Sequence, residues 1–294
     1  MAEQAEEEHV IRIEGGIMKI TDLFRKVETI TPADAKKLIE GEKAGEVEIL
    51  DVREPAEYER GHIPGARLIP LSILPSRIDE IETDKTIMTY CAHGRRSASA
   101  ASLLKGHGSA KVYSLEGGIT AWNGAVAKGE LESGIFLIEN LKTIDEYIAL
   151  AWALEDGNVH FYDTAKDLVN DAEGKKLFAE LVNAEDNHKS NILKAFRDMK
   201  GADISLTYLK DVSSKGIMEG GIHIKEALEW INDNGQDIKN MLELSMQLET
   251  NSLDLYFKIM KEAESEDIKS VFRSIIEEEK DHLKHLGNLF EEKI

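Results

Sequence analysis

Two Glu-x-x-His motifs could hold metal ions, and one cysteine loop could carry a nucleophile. The motifs are Glu185-Asp-Asn-His188 and Glu279-Lys-Asp-His282. Ninety-four positions separate them, and the same step takes Glu155 to Glu249, Tyr162 to Tyr256 and Phe178 to Phe272. Self-similarity at one fixed offset marks two copies of a helical hairpin, over residues 143–200 and 237–291. The cysteine is Cys91, in the run Cys91-Ala-His-Gly-Arg-Arg-Ser97, and the 294 residues contain no other. Neither an intrachain disulfide nor a Cys-x-x-Cys metal knuckle is therefore available.

The spacing around the carboxylates places them. Ile148, Glu155, Tyr162 and Val169 recur at seven-residue steps and share one helix face, as do Leu242, Glu249, Tyr256 and Ala263. The other two helices carry the stripes Phe178, Leu181, Glu185, His188, Ile192 and Phe272, Ile275, Glu279, His282, Leu286. Each Glu and His thus falls mid-stripe, facing a bundle core. Burying four carboxylates without partners costs several kcal/mol apiece, roughly, and two divalent or trivalent ions would offset that cost. A carboxylate and imidazole set suits iron or manganese. Tyrosines at positions such as Tyr162 and Tyr256 are more often core than functional, but these two could hydrogen-bond a ligand carboxylate. His160, His223 and His285 lie off the stripes and are expected at the surface.

Cys91 lies between the end of an expected strand and the start of an expected helix. There, successive N–H groups and the helix dipole point at the sulfur, and Arg95 and Arg96 add positive charge. All of these favour a thiolate poised for an anionic substrate.

The elements that must hold these residues follow from composition and periodicity. Thr31-Pro32 starts a helix that Gly41 stops. Val47–Val52, Thr86–Tyr90 and Lys111–Leu115 read as strands, Ser97–Lys105 as a helix, and Arg53–Pro75 as loop. Strands alternating with helices predict a parallel α/β sheet. Residues 10–30 give no clear signal, and residues 1–9 read as a disordered acidic lead. From Thr143, whose Thr-Ile-Asp-Glu146 has the form of a capping box, the period becomes helical. The four long helices are expected to about Asn170, from after Asp171 to about Gly201, and over 237–264 and 266–291. The stretch 201–236, with one amphipathic piece near Ala227–Ile231, is long enough to be a bundle crossover. The expected division is an N-terminal lead 1–27, an α/β domain 28–132, a linker 133–142 and an all-α domain 143–294.

Net charge is −20 at pH 7, which opposes nucleic acid and anionic membranes as partners. No stretch has the roughly 18 apolar residues of a membrane span, and the first eight residues are acidic where an export signal is basic, then apolar. A cytoplasmic location is the expectation.

Over residues 28–128 the chain resembles the rhodanese family. Asp51-Val-Arg-Glu-Pro-Ala-Glu-Tyr58, Gly61-His-Ile-Pro-Gly-Ala66 and Glu116-Gly-Gly-Ile-Thr-Ala-Trp122 look like that family's landmarks, and Cys91, Gly94, Arg96 and Ser97 match its Cys-x-x-Gly-x-Arg-Ser loop. The resemblance implies a sulfurtransferase. Cys91 would take a sulfane sulfur as a persulfide from a small anionic donor such as thiosulfate and pass it to a thiol acceptor. Arg96 and the amides of residues 92–96 would hold the anionic sulfur. Ala92, His93, Gly94, Arg95 and Ser97 would bind the donor, and Asp51 and Arg53 would brace the loop rather than react. Related phosphatases have one more residue between cysteine and arginine, so this spacing favours sulfur over phosphate.

Residues 140–291 resemble the rubrerythrin branch of the ferritin-like bundles. That implies a di-iron centre on Glu155, Glu185, His188, Glu249, Glu279 and His282, open to manganese or zinc substitution, and reacting with peroxide or oxygen. It also implies an external electron donor and a homodimer formed through the helical domain. Two departures stand out. Ser252 occupies the place where peroxidase-type members carry a further glutamate, and the four cysteines of a rubredoxin module are absent. The six-ligand set is closer to that of ferritins and bacterioferritins. The sequence thus reads as a two-domain chain, an α/β sulfurtransferase followed by a ferritin-like four-helix bundle with a long crossover. The alternative is that only the first domain is catalytic and the bundle is a metal-stabilised oligomerisation or sensing module.

Overall fold

The computed structural model describes residues 10–13, 16–19, 27–41, 45–131, 133–169, 172–213, 215–234 and 238–293. The acidic residues 1–9 lie outside that set. Two compact units divide between Leu131 and Glu132.

The first unit begins with an antiparallel hairpin, β1 (Val10–Ile13) and β2 (Gly16–Lys19), inside the segment expected as a lead. There follow β3 (Glu28–Ile30), α1 (Pro32–Gly41), β4 (Val47–Asp51), α2 (Pro55–Glu59), β5 (Arg67–Leu68), α3 (Leu74–Arg77), β6 (Thr86–Tyr90), α4 (Arg95–His107), β7 (Lys111–Leu115) and α5 (Gly118–Ala121). Strands β3 to β7 form one five-stranded sheet in the order β3-β7-β6-β4-β5, and every neighbouring pair is parallel. Leu50, Ile87, Val112, Leu104 and Ala100 pack in the core on one side. Ile49, Met88, Leu115, Tyr58 and Tyr90 pack in another. Such near-continuous apolar strands are what a sheet covered on both faces requires.

The chain leaves β4 toward one edge of the sheet, through β5, and leaves β6 toward the other, through β7. The carboxyl ends of β4 and β6 therefore flank a topological switch point, where open parallel sheets place their sites. Cys91 directly follows β6. The segment Arg53–Pro75, expected as loop, holds α2, β5 and the start of α3. These elements are too short to show a period.

The second unit opens with a 3₁₀ turn, Ile135–Leu137, in the stretch expected as a linker. Its long helices are α6 (Ile144–Leu168) and α7 (Ala172–Lys200), and then, after the crossover, α10 (Ile238–Glu262) and α11 (Glu266–Lys293). The capping box at α6 forms: Thr143 Oγ1 accepts from the Glu146 N–H at 3.3 Å, and Glu146 Oε2 accepts from the Thr143 N–H at 2.8 Å. The crossover is more structured than the sequence suggested. It contains α8 (Leu206–Ser213), β8 (Ile217–Met218), a 3₁₀ turn at Glu219–Gly221, β9 (Ile222–His223) and α9 (Ile224–Asn234). No described helix is long and apolar enough to cross a membrane.

Candidate active site and metal centre

Residues 91–97 form a tight loop from the end of β6 into α4. Gly94, with φ of 91°, takes the left-handed conformation at the helix N-terminus, which a glycine adopts without steric cost. The loop's back is held by the Gly117-Gly118 turn. Ile119 N–H donates to the Cys91 carbonyl at 2.8 Å and Thr120 N–H to the Ala92 carbonyl at 3.2 Å. A Cβ on Gly118 would fall 2.2 Å from the Cys91 carbonyl oxygen, so only glycine permits this approach. Thr89 and Ser97 fix the other side. Thr89 Oγ1 donates to the Ser97 carbonyl, and Ser97 Oγ shares a 2.8 Å hydrogen bond with Ser114 Oγ.

Cys91 is buried and accepts the Gly94 N–H on its sulfur at 3.1 Å. Burial alone raises a thiol's pKa. Here the Ser97 N–H and hydroxyl, with the N–H groups of His93 and Gly94, outweigh burial and hold Cys91 below its ordinary value. Arg96 reaches across to α2 and is gripped by Glu57 through two bonds of 2.7 and 2.8 Å. That bond pulls Glu57 down to about 2 and raises Arg96, which the Cys91 thiolate raises further. Asp51 and Arg53 form a buried pair at 2.6 Å, and Arg53 Nη2 also donates to the Gly61 carbonyl at 2.7 Å. They tie the end of β4 to the Gly61 segment. His93 and Arg95 are exposed, while Ala92 and Gly94 are half-buried. Sequence reasoning missed Glu57, although it lies inside the Asp51–Tyr58 motif.

In the second unit, all six carboxylate and imidazole groups expected as ligands converge. Glu155, Glu185, Glu249 and Glu279 are 0% exposed and His282 is 8% exposed. His188 Nδ1 lies 3.3 Å from Glu155 Oε2, 3.2 Å from Glu185 Oε2 and 3.3 Å from Glu279 Oε1. His282 Nδ1 lies 3.4 Å from Glu249 Oε2 and 3.9 Å from Glu185 Oε1. Glu185 and Glu279 each lie close to both histidines. The tyrosines cross over between the repeats: Tyr162 donates to Glu249 Oε1 at 2.7 Å and Tyr256 to Glu155 Oε1 at 2.9 Å. His160, His223 and His285 are exposed, as expected.

A seventh group carries no mark in the sequence. Glu219, from the 3₁₀ turn of the crossover, is 0% exposed and lies with Glu155 and Glu185 in a set of oxygens all within 4.8 Å of one another. Tyr256 Oη also lies 2.6 Å from Glu219 Oε1. One phenol proton cannot serve both Glu155 and Glu219, so one of these carboxyls carries its own proton when no metal is present. Glu219 sits between Met218 and two glycines, where no periodic pattern singles it out.

These residues fit a metal-binding role. Both oxygens of Glu185 and of Glu279, Glu249 Oε2 and both ring nitrogens of His282 are buried without a hydrogen bond. Native proteins rarely leave so many buried polar atoms unsatisfied in one place, and metal ions would satisfy them together. The carboxylate and imidazole groups gathered here could hold metal ions.

Metal-free, the cluster must hold protons instead. Burial and the charge of Glu249 push Glu279 up to about 8. Burial pulls His282 down, but Glu249, Glu185 and Glu279 outweigh it and push it up to about 10. Burial raises Glu249, yet His282 outweighs that and holds it at about 2. Glu279 and His282 thus keep protons that the unfolded chain releases near 4.5 and 6.5. Their stabilisation is full below those values and fades as pH rises through the folded ones. The Glu249 contribution is present throughout that range and is lost only in acid. The chelated protein is therefore expected to lose stability as pH rises between about pH 7 and 8. A thermal unfolding series in chelator measures this; a midpoint that rises across that interval contradicts it.

Two protein families match the chain: rhodanese-like domains over residues 31–125 and rubrerythrin over residues 146–290. The uncharacterized protein YqhL of Bacillus subtilis is 48% identical over 79 residues, 27% of this chain and 63% of that protein. This chain therefore spans less than two thirds of YqhL. A sulfurtransferase of Allochromatium vinosum is 40% identical over 77 residues, 26% of this chain and 72% of that protein. The thiosulfate sulfurtransferase GlpE of Pseudoalteromonas translucida is 40% identical over 83 residues, 28% of this chain and 79% of that protein.

Proposed function

We propose, for a chain that belongs to the rhodanese family through residues 31–125 and carries a rubrerythrin domain over residues 146–290, that sulfur transfer at Cys91 is joined to redox chemistry at a di-iron centre. The observation that carries the first half is the Cys91 sulfur, cradled by N–H groups at the mouth of α4 with its pKa depressed. With thiosulfate as donor, the Cys91 thiolate attacks the sulfane sulfur and the S–S bond to the sulfonate breaks. Sulfite leaves with the bonding pair, and Cys91 retains the sulfur as a persulfide anion. An acceptor thiolate then attacks that outer sulfur and releases the Cys91 thiolate. The loop N–H groups and Arg96 hold the anionic sulfur through both steps.

Glu57 positions Arg96. Glu57→Gln keeps the shape but replaces a charge-assisted pair with a neutral one. Sulfur transfer is expected to fall about tenfold in kcat/KM, a loss of ~1.4 kcal/mol in transition-state stabilisation. Steady-state kinetics with thiosulfate and cyanide would read it, and wild-type values in the variant would remove this role.

In the bundle, Glu155, Glu185, His188, Glu249, Glu279 and His282 would hold two iron ions. When bound, those ions supply electron-transfer chemistry toward peroxide or oxygen, with an external donor to restore them. The chain's own contribution is to exclude water, since the glutamates are fully covered, and to orient Glu249 and Glu155 through Tyr162 and Tyr256. The same enclosure favours a second reading, in which the metal pair stabilises the bundle and does not turn over. Peroxide added to iron-loaded, reduced protein separates the two: rapid change in the visible spectrum supports redox chemistry, and a silent centre supports the structural role. For the sulfur half, intact-mass measurement after thiosulfate treatment is expected to show one added sulfur, located on Cys91. Its absence would remove the sulfurtransferase reading.

A further inference from the structure

The bundle's sequence is a repeat, but its core is not symmetric, because the chain crosses over only once. We propose that Glu219, delivered by the crossover, is a metal ligand of the half of the centre that contains Glu155 and Glu185, which makes the two ion sites chemically unequal. This rests on the metal-centre reading given above.

The crossover is built to bring this side chain in. Gly157 of α6 has no side chain, and a Cβ there would fall 2.4 Å from the Ile217 carbonyl oxygen and 2.7 Å from Met218 Cα. The backbone of β8 therefore lies directly against α6 at that point. The next residue, Asn158, is fully buried and grips Glu219 twice. Its Nδ2 donates to Glu219 Oε2 at 2.5 Å, and its Oδ1 accepts the Glu219 N–H at 3.3 Å. Gly220 and Gly221 follow with φ of 68° and 75°, turning the chain away at once. On α10, a Cβ at Gly220 would meet Asn251 Cβ at 3.0 Å and Ser252 N at 3.7 Å. Ser252, one turn after Glu249, is buried and small, and its Oγ has no hydrogen-bond partner. A short residue there leaves the space into which the crossover turn fits.

The second observation is what surrounds the carboxylate. Glu185, in the same oxygen set as Glu219 and Glu155, is fully buried with both oxygens unpartnered. The matching group on the other half, Glu249 with Glu279 and His282, contains no carboxylate from the crossover, whereas Glu155 and Glu185 have Glu219 in addition to His188, whose Nδ1 lies 3.3 and 3.2 Å from them. One more carboxylate oxygen in a set favours a harder, more highly charged ion. Filling of the two sites by a divalent ion is therefore expected to occur in two resolvable steps.

The test uses the full chain, stripped of metal and titrated with manganese(II), followed by calorimetry and by electron paramagnetic resonance. Wild type is expected to bind two ions with distinguishable affinities. Glu219→Gln retains a side chain of the same shape for Asn158 and Tyr256 to hold, and is expected to weaken one of the two steps by at least about tenfold and leave the other unchanged. The metal-free variant should unfold at the wild-type temperature or above, because one buried carboxyl has been removed. Gly157→Ala pushes β8 away without altering any ligand and is expected to weaken the same step. Two unchanged steps and an unchanged spectrum in Glu219→Gln overturn this proposal alone. No bound ion in wild type overturns it together with the metal-centre reading.

Discussion

Replacing Cys91 with serine is expected to reduce sulfur transfer from thiosulfate by more than about a thousandfold. The chain has one cysteine, so no other thiol can stand in for it. A serine hydroxyl in the same cradle of N–H groups is a far weaker nucleophile at neutral pH, and it forms no persulfide. The scaffold should be untouched, because the loop is fixed mainly by contacts that do not involve the sulfur. These are the Ile119 and Thr120 N–H groups on the loop carbonyls and Ser97 on Ser114. Unfolding temperature is therefore expected to change little, and that control separates chemistry from folding. Retained turnover in a folded Cys91→Ser protein would contradict the role given to this loop.

The second large effect concerns the bundle and has opposite signs with and without metal. Free metal at about a thousand times its dissociation constant stabilises the fold by ~4 kcal/mol. The double variant Glu185→Ala/Glu279→Ala removes the two carboxylates that reach both histidines, and is expected to lose nearly all of that gain. Without metal the comparison is expected to even out or reverse. Wild type then carries four buried carboxylate oxygens with no hydrogen bond on these two residues, and removing unpartnered buried polar groups offsets the small cavity left behind. Thermal unfolding of both proteins, chelated and loaded, provides the four values needed. A variant that is much less stable when chelated, yet still gains from metal, would show that these glutamates are structural.

What can be read from the sequence follows a physical divide. Long helices declare themselves by period, so spacing alone puts the four stripes carrying Glu155, Glu185, Glu249 and Glu279 in the core. The Cys91 loop is legible because a strand, a glycine turn and a helix start each leave local marks. Glu57 is harder, since α2 has five residues and its partner Arg96 lies 39 positions away. The crossover is harder still. β8 and β9 have two residues each, and Glu219 acquires its meaning only from Asn158 and Tyr256, 61 and 37 positions distant. Gly157 looks like an ordinary glycine in a helix. Its role is the close approach of β8, which no local pattern encodes.

The most direct test is the metal content of the full chain, expressed with iron available and purified without chelator. About two irons per chain are expected, together with their loss in Glu185→Ala/Glu279→Ala while the far-ultraviolet dichroism stays helical. A folded wild-type protein that holds no metal, even when iron or manganese is supplied in excess, would contradict the central claim and leave the buried carboxylates satisfied by protons alone.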